Sequence, residues 1–236
     1  MVDAVPPSDF QSAFDRARQI EGWLTADQAH VLWVEATKTA LDSVVVEIGS
    51  HRGRSTIMLA AGSPSRVTAV DPFVPDWRYG GPDTMASFKA NIAAAGLSDR
   101  VRLLAESSLA VRRRWTEPVG LLYIDGKHDY WTVRDDLRWA EFVVPGGRVL
   151  VHDAFSSVGV TLALLRHTLP SRTMAYVDRT GSLARFEIRR PTLGERIALL
   201  AQLPWWLRNV LVKVSLRLRL RFLTSLLGHR DSADPY

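Results

Sequence analysis

Between Val44 and Ile188 the chain switches repeatedly between two hydrophobic periods. Short β-branched runs give way to stretches with apolar residues three and four apart, and turn residues separate the two. The runs predict strands at Val44–Ile48, Arg66–Val70, Val101–Ala105, Gly120–Asp125 and Arg148–Asp153. Helices are expected near Ser55–Ala61, Thr84–Ala95, just after Ser108, near Tyr130–Phe142 and at Val158–Thr168. Pro145–Gly147 reads as a turn. The last two strands, Thr173–Asp178 and Ser182–Ile188, flank Arg179-Thr180-Gly181 as a hairpin. Two helices are expected upstream, at Asp9–Ile20 and Thr25–Ala40. In the second, Ala29, Leu32, Trp33 and Ala36 share a face, and Thr25 with Gln28 forms a capping box.

Strands alternating with helices over short connections predict an α/β fold with helices on both faces of a parallel sheet, closed by one antiparallel hairpin. Three parts are expected: an N-terminal helical cap over 1–42, an α/β domain over 43–190 and a helical tail over 191–236. In such sheets ligands bind beyond the carboxyl ends of the strands. Glu47, Asp71, Asp125 and Asp153 all fall at those ends. Four acids on one rim are costly unless cations or hydrogen-bond donors answer them.

Glu47 to Gly53 has the spacing G-x-x-x-G, so a dinucleotide pyrophosphate site is weakly supported, and no GK[ST] phosphate loop is present. A cofactor without phosphates suits an acid placed directly before the loop. Asp71, about 20 residues further on, is placed to accept ribose hydroxyls, or it opens a turn with Pro72. Asp125 and Asp153 end consecutive strands expected side by side, ~4.8 Å apart, and can share a hard cation such as magnesium or manganese. The alternative is that both cap the helices that follow. His152 joins them only if the strand has ended before it, since alternation would otherwise aim it away. His128, three residues after Asp125, is a candidate general base, with His152 its rival. Ser107 and Ser108 follow the third strand, where they either meet an adenine or cap a helix. Trp77 and Tyr79 lie in the long loop after the second strand, where a lid or a packed tryptophan are the alternatives.

Composition narrows the setting. The 236 residues are 47% hydrophobic, enough for a full core, and contain no cysteine, which excludes disulfides, thiolate metal sites and a cysteine nucleophile. That fits a reducing cytoplasm. Neither a signal peptide nor an uncharged membrane-spanning stretch is expected. The net charge of +5 is uneven: residues 189–236 carry +6 and residues 1–188 carry −1. A nearly neutral body without an Asn/Asp-Pro-Pro-Tyr/Phe motif argues against nucleic acid.

The segments VVEIGSHRGRST, VTAVDPF, LLYIDGKHDY and PGGRVLVHDAF resemble, in order and spacing over about Val44–Leu165, the class I S-adenosylmethionine-dependent methyltransferases. The closer likeness is to bacterial metal-dependent sugar and natural-product O-methyltransferases, including actinobacterial enzymes that methylate mannosides. The resemblance implies a seven-stranded Rossmann-like sheet of order 3-2-1-4-5-7-6. It implies cofactor contacts from Glu47, Gly49, Ser50, Gly53, Ser55, Asp71, Ser107 and Asp125, a metal site of Asp125, His152 and Asp153, and catalytic roles for His128, His152 and Asp125. The metal would be Mg2+ or Mn2+, and the acceptor a hydroxyl of a sugar, polysaccharide precursor or glycolipid. Two positions depart from the pattern: some relatives have an acid where His152 stands, and Glu106-Ser107-Ser108 replaces a common Gly-Asp-Ser. The alternatives are a catechol-like small-molecule acceptor, or a membrane-associated protein that binds the cofactor without catalysis.

Residues 193–227 predict two amphipathic helical segments broken by Pro204. Leu207, Leu211, Val214, Leu218 and Phe222 make one stripe; Leu216, Leu220, Leu223 and Leu227 make another, with cations between. Trp205 and Trp206 add an interfacial pair. Such a tail suits docking on anionic lipid at the inner face of a membrane, or packing on the domain and a second subunit.

Overall fold

The computed structural model describes residues 9–75 and 80–228. Trp77 and Tyr79 lie outside the described residues. A seven-stranded sheet holds β1 (Val44–Ile48), β2 (Val67–Val70), β3 (Val101–Leu104), β4 (Val119–Ile124), β5 (Val143–Val151), β6 (Met174–Thr180) and β7 (Leu183–Ile188) in the order 3-2-1-4-5-7-6. The first five strands are parallel. β7 runs antiparallel between β5 and the edge strand β6. This is the Rossmann-like methyltransferase sheet that the motifs imply. The central strands β1, β2 and β4 are buried on both faces, which is why they read as continuous apolar runs.

Alternation splits the core in two. Val46, Ile48, Leu122, Ile124, Val149 and Val151 face one side. Val45, Leu121, Tyr123 and Leu150 face the other. The first side is covered by α5 (Ser108–Arg112), α6 (Tyr130–Leu137) and α7 (Val158–Thr168). The second is covered by α1 (Phe10–Ala17), α2 (Ala26–Thr37), α3 (Arg54–Gly62) and α4 (Pro82–Ala94). The Thr25–Gln28 capping box forms as expected, and Ala29, Leu32 and Ala36 are fully buried. Buried Glu35 ties α2 to the sheet, contacting Arg148 of β5 at 3.3 Å and Arg185 of β7.

The single helix expected over Tyr130–Phe142 tightens into a 3-10 turn from Arg138. β5 begins earlier than expected and takes in Pro145–Gly147. It also stops two residues sooner, at Val151.

The tail differs more. The break expected at Pro204 forms, and Pro204 itself sits in the first turn of the second helix, as its fixed φ allows. Among the described residues of the tail three helices form: α8 (Leu193–Leu200), α9 (Leu203–Arg217) and α10 (Arg221–Leu226). Positive φ at Arg219 ends the helical run, so the second expected stripe, which assumed one continuous wheel, is divided. Trp205 and Trp206 pack against the domain core, Trp205 beneath the Arg179 guanidinium at 3.9 Å, and are no interfacial pair.

Candidate active site

The glycine loop leaves β1 at the centre of the sheet, where strand order reverses. Gly49 has φ +87°, and a Cβ there would lie 2.3 Å from the carbonyl oxygen of Asp125. Only glycine lets β1 and β4 end so close together. Gly53, φ +89°, starts α3.

Glu47 sits one residue inside β1 and is fully buried. It accepts from Ser55 Oγ at 2.5 Å and from Thr56 Oγ1, so it fastens the strand to α3. Burial pushes its carboxyl up to about 7, against the hydroxyls that favour the charge. Asp71 follows β2. Its Oδ2 accepts the Ser50 and His51 N–H groups at 3.0 and 2.9 Å, and its Oδ1 accepts from Phe73 N–H at 2.8 Å. The carboxylate therefore shapes the glycine loop, and its remaining lone pairs are those left for a ligand. Ser50 Oγ is buried and makes no hydrogen bond among the described residues. Ser107 caps α5, accepting from Ala110 N–H at 3.3 Å, while Ser108 Oγ donates to buried Asp136 at 2.5 Å. Capping, one of the two readings left open for these serines, is thus observed.

Asp125, His128, His152 and Asp153 converge beyond β4 and β5. His152 N–H still bonds Ile124 O at 2.9 Å, but β5 has ended and Asp153 has φ +54°. That left-handed residue breaks the alternation, so two consecutive side chains aim at one point. His152 Nδ1 lies 3.3 Å from Asp125 Oδ1 and 3.4 Å from Asp153 Oδ2, with neither contact aligned as a hydrogen bond. The three ligand atoms all fall within 4.8 Å of one another. His128 Nε2 lies 3.2 Å from Asp153 Oδ2 and 3.7 Å from Asp125 Oδ1. The two carboxylates also have outer partners: Tyr123 OH donates to Asp125 at 2.9 Å and Ser156 Oγ to Asp153 at 2.9 Å.

The tautomer of His152 follows from its neighbours. Gln28 Oε1 accepts the Thr25 N–H at 3.1 Å, which fixes the amide orientation, and the same oxygen lies 3.3 Å from His152 Nε2. An oxygen can only accept, so Nε2 carries the hydrogen. In the neutral ring Nδ1 then has its lone pair directed between the carboxylates, the arrangement a metal-binding imidazole needs. A buried ring nitrogen lacking an aligned partner, flanked by two carboxylate oxygens, fits a divalent ion with mixed oxygen and nitrogen ligands. Burial opposes charge on His152, but Asp125 and Asp153 outweigh it and push the ring up to about 10. His128 is raised for the same reasons, and both carboxylates are held low despite burial. Until a cation answers the carboxylates, protons on the imidazoles do so.

No sequence pattern marks Gln28 or Tyr123 as supports of this site. The capping-box pattern at Gln28 reports a helix start, and nothing local ties it to a histidine 124 residues away. The tail also reaches the rim: Asn209 Nδ2 donates to Phe155 O at 3.1 Å and Lys213 Nζ to Ser156 O at 2.7 Å. Gly159 fits α7 against the His128 loop, since a Cβ there would lie 2.3 Å from His128 O.

Residues 46–154 match the family model described as a methyltransferase domain. Among solved structures the chain is similar to an O-methyltransferase from Bacillus cereus in complex with SAH, with TM-score 0.58 and 21% identity over 79% of this chain and 94% of that one. It is similar to the O-methyltransferase TomG of Streptomyces achromogenes, involved in tomaymycin synthesis and solved with SAM, with TM-score 0.57 and 17% identity over 80% and 92%. A cofactor-bound protein from MTB gives TM-score 0.58 and 21% identity over 77% and 88%. Family match, strand order and glycine loop agree: residues 46–154 match a methyltransferase domain, set in a sheet of the methyltransferase strand order.

Proposed function

We propose that this chain is an S-adenosylmethionine-dependent methyltransferase that alkylates a hydroxyl of a sugar, polysaccharide precursor or glycolipid, with a divalent ion, Mg2+ or Mn2+, held by Asp125, His152 and Asp153. The observation that carries the reading is the convergence of His152 Nδ1 with one oxygen each of Asp125 and Asp153, beside His128 Nε2. The sugar class is drawn from the motif resemblance around Asp125-Gly126-Lys127-His128.

When bound, the ion supplies a Lewis acid that lowers the pKa of an acceptor hydroxyl. His128 takes the hydroxyl proton on Nε2. The oxygen lone pair forms the new C–O bond to the methyl carbon as the C–S bond breaks, and sulfur keeps that electron pair, leaving S-adenosylhomocysteine. The Gly49–Gly53 loop, braced by Asp71 and by Glu47 with Ser55, brings backbone close enough to seat the donor, and alignment of donor with acceptor supplies much of the rate. Gln28 and Tyr123 orient His152 and Asp125 and need not touch the acceptor.

The test is a panel of monosaccharides, glycolipids and catechols incubated with S-adenosylmethionine, with Mg2+ or with chelator, and read by mass spectrometry. Methylated sugar product that requires the ion is expected. Product confined to catechols would replace the sugar reading, and sugar turnover unaffected by chelator would remove the metal from it.

A further inference from the structure

The tail helices have two faces, and only one is covered. Asn209, Val212 and Ser215 of α9 are buried against the domain. On the opposite side Leu207, Leu211, Val214 and Leu218 are 55%, 53%, 49% and 62% exposed. Their spacing of four, three and four residues makes one continuous apolar stripe. Phe222 and Leu226 of α10 extend the exposed apolar surface, at 64% and 80%. A run of this kind is unusual on a protein surface and marks an interaction site.

Charge decides which partner fits. From Arg196 to Gly228 the chain has six cations and no acid. Arg217 and Arg219 are exposed beside the end of the stripe. A two-fold dimer through this face would set the cationic stretch against its own copy, with no counter-charge within it. An anionic lipid surface instead offers hydrocarbon to the leucines and phosphates to the arginines. Among the described residues no helix is long and apolar enough to cross a membrane, so α9 would lie in the interfacial plane.

We infer that α9 and α10 are a docking surface for anionic phospholipid bilayers. The same helix bonds the loop carrying Asp153, through Asn209 to Phe155 O and Lys213 to Ser156 O. The lipid-facing stripe is therefore about one helix diameter, ~10 Å, from the catalytic rim. The inference holds whichever hydroxyl accepts the methyl group.

The test is flotation of the full chain with vesicles of phosphatidylcholine alone or containing one-third phosphatidylglycerol. Binding is expected to the anionic vesicles, to weaken with salt, and to be negligible on phosphatidylcholine. Leu211→Glu with Leu218→Glu, and separately Arg217→Glu with Arg219→Glu, should each lower binding at least tenfold while S-adenosylhomocysteine affinity stays unchanged, showing an intact fold. Absence of flotation, equal binding to both vesicles, or indifference to both substitution pairs would overturn the inference. So would a wild-type dimer that does not bind vesicles and that the leucine substitutions dissolve, since a second copy would then own this face.

Discussion

Gln28 of α2 places its side-chain oxygen 3.3 Å from Nε2 of His152, just past the end of β5, so a residue of the N-terminal helices sets the tautomer of a candidate metal ligand. The contact crosses 124 residues of sequence. It makes the helical cap part of the site's chemistry as well as part of the core. Replacing this partner with Gln28→Ala is expected to weaken Mn2+ binding about tenfold, the usual scale for such outer-shell supports. Gln28→Glu keeps the acceptor and should retain most of the affinity. Calorimetric titration with Mn2+ and, separately, with S-adenosylhomocysteine distinguishes a metal effect from a general loss of fold.

Two glycines with positive φ should respond differently to alanine. Gly49→Ala drives a Cβ into the Asp125 carbonyl and should destabilise the protein by more than about 2 kcal/mol, with weakened S-adenosylhomocysteine binding. Gly146 has φ +79° but open space around its Cβ position, so Gly146→Ala should carry only the conformational penalty, about 1–2 kcal/mol, and leave ligand affinity alone. Thermal unfolding and calorimetry of the two variants check this.

Asp71 donates nothing and accepts three backbone N–H groups, two of them from the glycine loop. Asp71→Ala should therefore lower S-adenosylhomocysteine affinity at least tenfold, the loop losing its brace as the ligand loses any acceptor there. Unchanged affinity by calorimetry would remove Asp71 from the cofactor site.

Stability should fall as pH rises from about 4 to about 7. Burial pushes the Asp136 carboxyl up to about 7, above its unfolded value of 3.8. Between those values the folded state binds more protons than the unfolded state, so the unfolding free energy decreases with pH. Asp136→Asn removes that contribution. The variant should lose less stability than wild type between pH 5 and pH 8, by about 1–3 kcal/mol or ~3–10 °C in Tm. Equal slopes in paired melting curves would assign the titration elsewhere.

Much of this architecture was legible because local pattern and tertiary role coincide. Apolar β-branched runs ending in acids identified the strands that carry Asp71, Asp125 and Asp153, and the strand order follows the motif resemblance. Convergence of His152 with Asp153 was not legible. It depends on β5 stopping at Val151 and on a left-handed Asp153, neither of which side-chain periodicity encodes. Gln28 was hidden because its pattern serves helix capping equally well. The second apolar stripe of the tail is not legible either, because α9 ends at Arg217 and the left-handed Arg219 divides the wheel that Leu216 to Leu227 would share.

The central claim is that Asp125, His152 and Asp153 bind one divalent ion. Mn2+ titration followed by electron paramagnetic resonance tests it without knowledge of the acceptor. The expected result is one tightly held Mn2+ per chain in the wild type, lost in Asp125→Asn, His152→Ala and Asp153→Asn while S-adenosylhomocysteine still binds to the last two. Undiminished Mn2+ binding in all three variants, or none in the wild type, would contradict the account.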